Sequence, residues 1–265
     1  MDKINKSSAV ERALRHDRKL VISGLLIVVG LSWAYLLIGA FSMQDLDSIL
    51  VPASSGPWTF GYSLLMLVMW VVMMAAMMLP SATPMILLYA KIARGRQGEE
   101  KHAIRSNCFV LGYIALWTVF SLVAVSLQFG LEIAAMLSPT MQTTNGALAG
   151  VVLITAGVYQ WTSLKQACLQ HCRSPLEFLV THWRNGLRGA FAMGMQHGAY
   201  CLGCCWMLML LLFIGGVMNL LWIAALTFFV LVEKFAPAGH WIARAAGVLL
   251  IGWGIATLLY TVVEH

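Results

Sequence analysis

Seven stretches of this chain are apolar for long enough, or nearly so, to cross a lipid bilayer: roughly 20–41, 60–90, 106–137, 144–164, 191–214, 218–234 and 241–262. A helix needs about 20 apolar residues to cross about 30 Å of hydrocarbon. In hydrocarbon every backbone N–H and C=O must find a partner within the protein, so isolated runs of this kind are helices. The second and third runs exceed that length and are expected to tilt or project. The sixth is short and ends in Glu233-Lys234. Only 11% of the residues are charged, against roughly 25% in soluble domains. The expected fold class is therefore all-α: a polytopic transmembrane helix bundle of about seven spans. It forms one domain over 20–265, preceded by a polar arm at 1–19.

The charges orient these spans. All 17 Lys and Arg lie in the arm, in the loop 91–105, in the stretch 165–190 and in the turn 234–244. Seven spans put these four segments on one side, which the positive-inside rule makes the cytoplasm. Six spans would put one basic loop outside. The N-terminus is then cytoplasmic and the C-terminus periplasmic, with Asp45 and Asp47 in an outer loop. No small-residue cleavage site follows the first run, which reads as an uncleaved signal anchor. The net charge of +6 does not indicate nucleic acid, because the basic residues occupy short connections between apolar runs. The segment 165–190 is expected to be cytoplasmic, with Pro175 to Leu187 as an interfacial amphipathic helix. Gly146/Gly150 and Gly194/Gly198 have the Gly-x-x-x-Gly spacing that lets membrane helices approach closely.

Chemistry concentrates in His197-Gly-Ala-Tyr-Cys201-Leu-Gly-Cys204-Cys205. On a helix, Met193, His197, Cys201, Cys204 and Leu208 share one stripe, with Cys205 at its edge. Ionisable groups inside a membrane are costly and point to function. Thiolates and imidazole suit Cu(I) or Zn(II). The spacing is that of a helix face, not a zinc-finger loop, so a second helix must contribute ligands. Met66, Met69, Met73 and Met77 line one helix face, with Met74 and Met78 to one side. Thioethers select Cu(I), and Met73 and Met77 are the candidate supplementary ligands. Pro80 and Pro84 are expected to interrupt that helix.

A second soft-metal site or cytoplasmic hand-off point is read at Cys168, His171 and Cys172, and reduced cytosolic thiols would look the same. Packing is the competing explanation for every Cys and Met named here. Glu233-Lys234 reads as a snorkelling pair, and Glu132 as interfacial. The six cysteines do not form a secreted disulfide framework. No nucleotide-binding, haem-attachment, nucleophile-elbow or zincin motif is present.

Several of these segments recur together in a known family. The run Trp70-Val-Val-Met-Met-Ala-Ala-Met-Met-Leu-Pro80, the segment Tyr159-Gln-Trp161-x-x-Leu-Lys165-x-x-Cys168, Cys201-Leu-Gly-Cys-Cys-Trp206-Met-Leu-Met, Gly215-Gly-Val-Met-Asn219 and Glu233-Lys234 carry the likeness. The chain resembles a family of bacterial integral membrane proteins of unknown function that is described as predicted metal-binding. The resemblance covers nearly everything after residue 60. It implies a protein of the bacterial inner membrane with a metal-binding cysteine cluster, and no reaction.

The expected function is binding of a soft transition metal, copper before zinc, in the helix bundle. The metal would be handled, transported or delivered to a membrane or periplasmic partner. One alternative is an accessory subunit packed inside a larger membrane complex. The other is a membrane redox or metal-dependent enzyme: the cysteine-free outer loops argue against a thiol oxidoreductase, since thiol exchange needs an accessible relay, and a metal-centred oxidase or oxygenase stays open.

Overall fold

A computed structural model describes residues 22–38, 58–97, 99–138 and 141–264. The arm 1–19 and the outer loop with Asp45 and Asp47 lie outside the described residues. The helices are α1 (Ile22–Ile38), α2 (Phe60–Gln97), α3 (Glu99–Ile133), α4 (Gly146–Tyr159), α5 (Ser163–Arg173), α6 (Pro175–Thr181), α7 (Gly186–Leu210), α8 (Leu212–Gly215), α9 (Leu220–Phe235) and α10 (Gly239–Glu264). The described residues hold no β-strand, only an isolated bridge between Leu137 and Thr143. The fold is all-α.

Four helices are long and apolar enough to cross a membrane among the described residues, and five if the bent pair α4/α5 makes one span. The seven expected runs all contain helix, yet not seven long helices. The run at 144–164 ends early because α4 turns by 63° into α5. Helices α1 and α9 have 17 and 16 residues, short of the ~20 that a perpendicular crossing needs. Large apolar side chains such as Leu249, Val248 and Leu259 on α10 and Leu26 and Leu31 on α1 face outward, as lipid-facing surfaces do.

Three caps explain where elements begin. The side chains of Asn145, Thr162 and Asn219 accept from the backbone N–H of Leu148, Lys165 and Trp222, supplying partners for otherwise orphaned donors. Between α8 and α9, Gly216 takes φ +93°, a backbone that glycine tolerates best. Pro80 and Pro84 do not end α2, contrary to expectation; the helix runs through both. The Tyr113 and Ser81 hydroxyls donate to the Met78 carbonyl at 3.2 and 2.8 Å, tying α3 to the proline-containing turn of α2.

The segment 165–190 departs most from expectation. Its first third, α5, is a regular helix and not an irregular loop. One face of it packs against α7, with Lys165 and Leu169 buried, while Ser163, Leu164, Ala167 and Gln170 stay exposed. Nor do Pro175 to Leu187 form one interfacial helix: α6 stops at Thr181 and α7 begins at Gly186. Burial of the Lys165 ammonium is sustainable because it finds a partner on α9, described below.

Glycines set two helix contacts. Added Cβ atoms at Gly150 and Gly157 of α4 would collide with α10. At Gly194 of α7 a Cβ would lie 2.0 Å from the Phe109 carbonyl oxygen of α3. That second contact presses α3 onto the helix turn carrying His197. Gly194→Leu is therefore expected to lower stability in detergent by at least ~1–3 kcal/mol, the cost of overpacking. Gly130→Leu, with nothing within 4 Å of its Cβ, is the control. Equal unfolding midpoints for the two would refute the contact.

Candidate metal centre

The helical repeat of α7 sets His197, Cys201, Cys204 and Cys205 on its interior face, all 3% exposed or less. Packing then brings other elements to that face. From α5 comes Cys172, whose thiol lies next to those of Cys201 and Cys204. Cys205 makes the same kind of contact with both. Four sulfurs from two helices thus meet, the three of α7 buried and Cys172 half-buried. From α2, the Met78 sulfur lies 3.9 Å from Cys205 Sγ. From α3, the Tyr113 hydroxyl lies 3.1 Å from Cys201 Sγ. From α9, the Lys234 ammonium donates to Cys201 Sγ at 3.0 Å and to Ser81 Oγ at 2.9 Å.

Beside this cluster sits a buried ion pair. Lys165 Nζ on α5 is 2.7 Å from Glu233 Oε1 on α9, and both side chains are at most 1% exposed. Sequence reading had Glu233 and Lys234 snorkelling to an aqueous boundary, and counted Lys165 and Lys234 among loop charges. All three are interior groups. A buried charge needs a partner: the pair neutralises itself, and Lys234 turns to sulfur and hydroxyl.

The sequence-derived ligands divide on inspection. Cys201, Cys204 and Cys205 are together. His197 stacks with Tyr113 and Phe109 at centroid distances of 5.8 and 6.2 Å, and its Nδ1 has no hydrogen-bond partner. Met193 lies two turns away along α7, and its sulfur accepts from the Arg184 N–H at 3.2 Å, so it does not face the thiols. Met73 and Met77 are fully buried on α2, but the methionine in contact with a thiol is Met78. The side chains of Cys168, His171 and Cys172 have different neighbours. Cys172 joins the α7 thiols, His171 stacks on Tyr200 at 4.3 Å, and Cys168 seats over Gly203, where a Cβ would lie 2.6 Å from its sulfur. Gly203 thereby lets α5 approach closely enough for Cys172 to reach the cluster.

Sequence reasoning missed Cys172 as a member of this cluster, together with Met78, Tyr113, Ser81 and Lys234. One signal was available. Lys165, Cys168 and Cys172 are spaced i, i+3, i+7, which is a helix face, though no local pattern says which helix that face meets.

Chemically, the cluster is a set of soft donors with a cation at hand. Thiolate and thioether together select Cu(I). The Cys204 and Cys205 thiols both donate back to the Cys201 carbonyl at 3.0 and 2.9 Å, so they are turned to a backbone oxygen and not to a shared ion position. Correspondingly, no group of three His, Cys, Asp or Glu among the described residues already has the geometry of a metal site. Rotation about χ1 of a cysteine is the motion that would convert thiol–carbonyl contacts into ligation.

A family model described as PpoB2, copper chaperone, matches residues 67–257. No curated protein and no solved structure matches the chain. The family match takes in all six cysteines, Met78, Tyr113 and the interior charges Lys165, Glu233 and Lys234; extending over most of the chain, it establishes that this protein belongs to the PpoB2 copper-chaperone family.

Proposed function

We propose that this protein is an integral membrane copper chaperone that takes Cu(I) as cargo on the thiols of Cys172, Cys201, Cys204 and Cys205 and releases it to a partner protein. The observation that carries this reading is the meeting of Cys172 with the α7 thiols beside the Met78 sulfur. Soft ligands from more than one helix are what a lone helix face lacked. The orphaned Nδ1 of His197 is a further donor next to the cluster, one turn from Cys201.

Charge supports the same reading. One Cu(I) held by two thiolates carries a net charge of −1, which is costly to bury alone. The Lys234 ammonium balances it. The Lys165–Glu233 pair adds no net charge.

The membrane setting follows the charge distribution. The protein lies in the bacterial inner membrane with seven crossing segments, counting α1, the broken span α4/α5 and the short α9. Its N-terminus is cytoplasmic and its C-terminus periplasmic. Delivery is to a membrane or periplasmic cuproprotein.

The test is copper content after anaerobic Cu(I) loading of detergent-purified protein, wild type beside the triple variant Cys201→Ser/Cys204→Ser/Cys205→Ser. Tight copper binding in the wild type and its loss in a stably folded variant is the expected result. Tight binding that survives in the variant would overturn the reading.

A further inference from the structure

At the other end of α2 a second set of soft ligands closes around one atom. The Gln128 amide nitrogen, on α3, lies 3.5 Å from the Met66 sulfur, 3.4 Å from the Met141 sulfur and 2.8 Å from Glu132 Oε1. An amide nitrogen has two hydrogens to donate, yet here it faces three acceptors. Its identity as nitrogen follows from the other amide atom, which accepts from Trp70 Nε1–H at 2.9 Å. The second Glu132 oxygen accepts from Trp58 Nε1–H at 2.8 Å. Met66, Met141 and Gln128 are at most 1% exposed.

Met141 reaches this point from an irregular connection. Its backbone has φ +56°, a left-handed conformation that few residues other than glycine adopt. Strain of this kind persists where surrounding structure over-determines it, and it concentrates at functional sites. The connection is pinned to the bundle by Thr143 N–H, which donates to the Phe213 carbonyl at 2.7 Å.

We infer that Met66, Met141 and Glu132 form a second, weaker Cu(I) site, occupied in the absence of the ion by the Gln128 amide as a stand-in donor. Two neutral thioethers supply soft donors, and the single carboxylate cancels the charge of one Cu(I). The thiol cluster is anionic and holds copper tightly; this site is neutral and thioether-based and holds it loosely. Met66 and Met78 are twelve residues apart on α2, about 18 Å at 1.5 Å per residue. Between them Met69, Met73, Met74 and Met77 are all buried. Multi-site binding that is weak enough to release is what passage of an ion requires. The inference shares with the proposed function only the identity of the cargo.

The experiment is anaerobic Cu(I) titration of the full chain in detergent against a competing chelator. It compares wild type, Met66→Leu/Met141→Leu, Glu132→Gln and the triple serine variant. The wild type is expected to bind one tight and one weak equivalent. Leucine conserves volume and Gln conserves shape, so the first two variants keep the tight equivalent and weaken the loose one at least tenfold. The triple serine variant keeps only the loose equivalent. A loose equivalent that keeps wild-type affinity in Glu132→Gln and in the double leucine variant, or no second equivalent in the wild type, would overturn the inference. Tight binding that persists in the triple serine variant would overturn the thiol cluster instead. Should the double leucine variant not fold, Glu132→Gln carries the test by itself.

Discussion

Cys172→Ser is expected to weaken Cu(I) binding by about 100-fold, or ~2.8 kcal/mol at 1.4 kcal/mol per tenfold. Loss of partners one shell beyond the ligands already costs 10–100-fold in metal sites, and a ligating thiol should cost at least the upper figure. The neighbouring His171→Ala should leave affinity within a few-fold, because His171 stacks on Tyr200 and its Nδ1 contacts the Ala167 carbonyl. The two residues are adjacent in sequence, so the contrast separates a shared cluster from an independent site on α5. Chelator competition under anaerobic conditions measures both. Equal losses in the two variants would mean that α5 carries its own site; no loss in Cys172→Ser would remove it from the cluster.

Lys165→Met is expected to destabilise the protein by about 3–5 kcal/mol, the usual cost of stranding a buried charge. Glu233 would remain in the interior without its ammonium, 2.7 Å away in the native pair. The double variant Lys165→Met/Glu233→Leu should recover most of that loss, since well-packed apolar substitutes for a buried pair are often neutral. Unfolding midpoints in detergent give both numbers. If the single variant were as stable as wild type, the pair would be water-exposed and the Lys165 face of α5 would not be packed against the bundle. Copper binding by the stable double variant should remain, because Lys234 and not Lys165 touches a thiol.

The outcome for α5 shows where local reading reaches its end. Lys165 among polar neighbours looked like the start of a cytoplasmic loop, and by hydropathy it is. Its burial depends on Glu233, 68 residues further along the chain, and on a 63° turn after α4. Neither is written in the spacing of residues 163–173. The same holds for Met78. Its place on α2 was readable, but its selection over Met73 and Met77 as the sulfur beside Cys205 depends on how α2 rotates against α7.

By itself the sequence determined the helices, the apolar exterior and the thiol stripe of α7. Backbone hydrogen bonds in hydrocarbon must be satisfied locally, and a 3.6-residue repeat leaves no choice about which side chains share a face. It also marked Gly194 and Gly198 as a place where another helix can come close, because neither leaves a side chain in the way; that the helix is α3 was decided by the tertiary structure. Only the tertiary structure decided what the thiol stripe meets. Cys172, Met78, Tyr113 and Lys234 come from four other helices, and pairings between helices are set by interhelical packing, for which residue spacing within one helix carries no information.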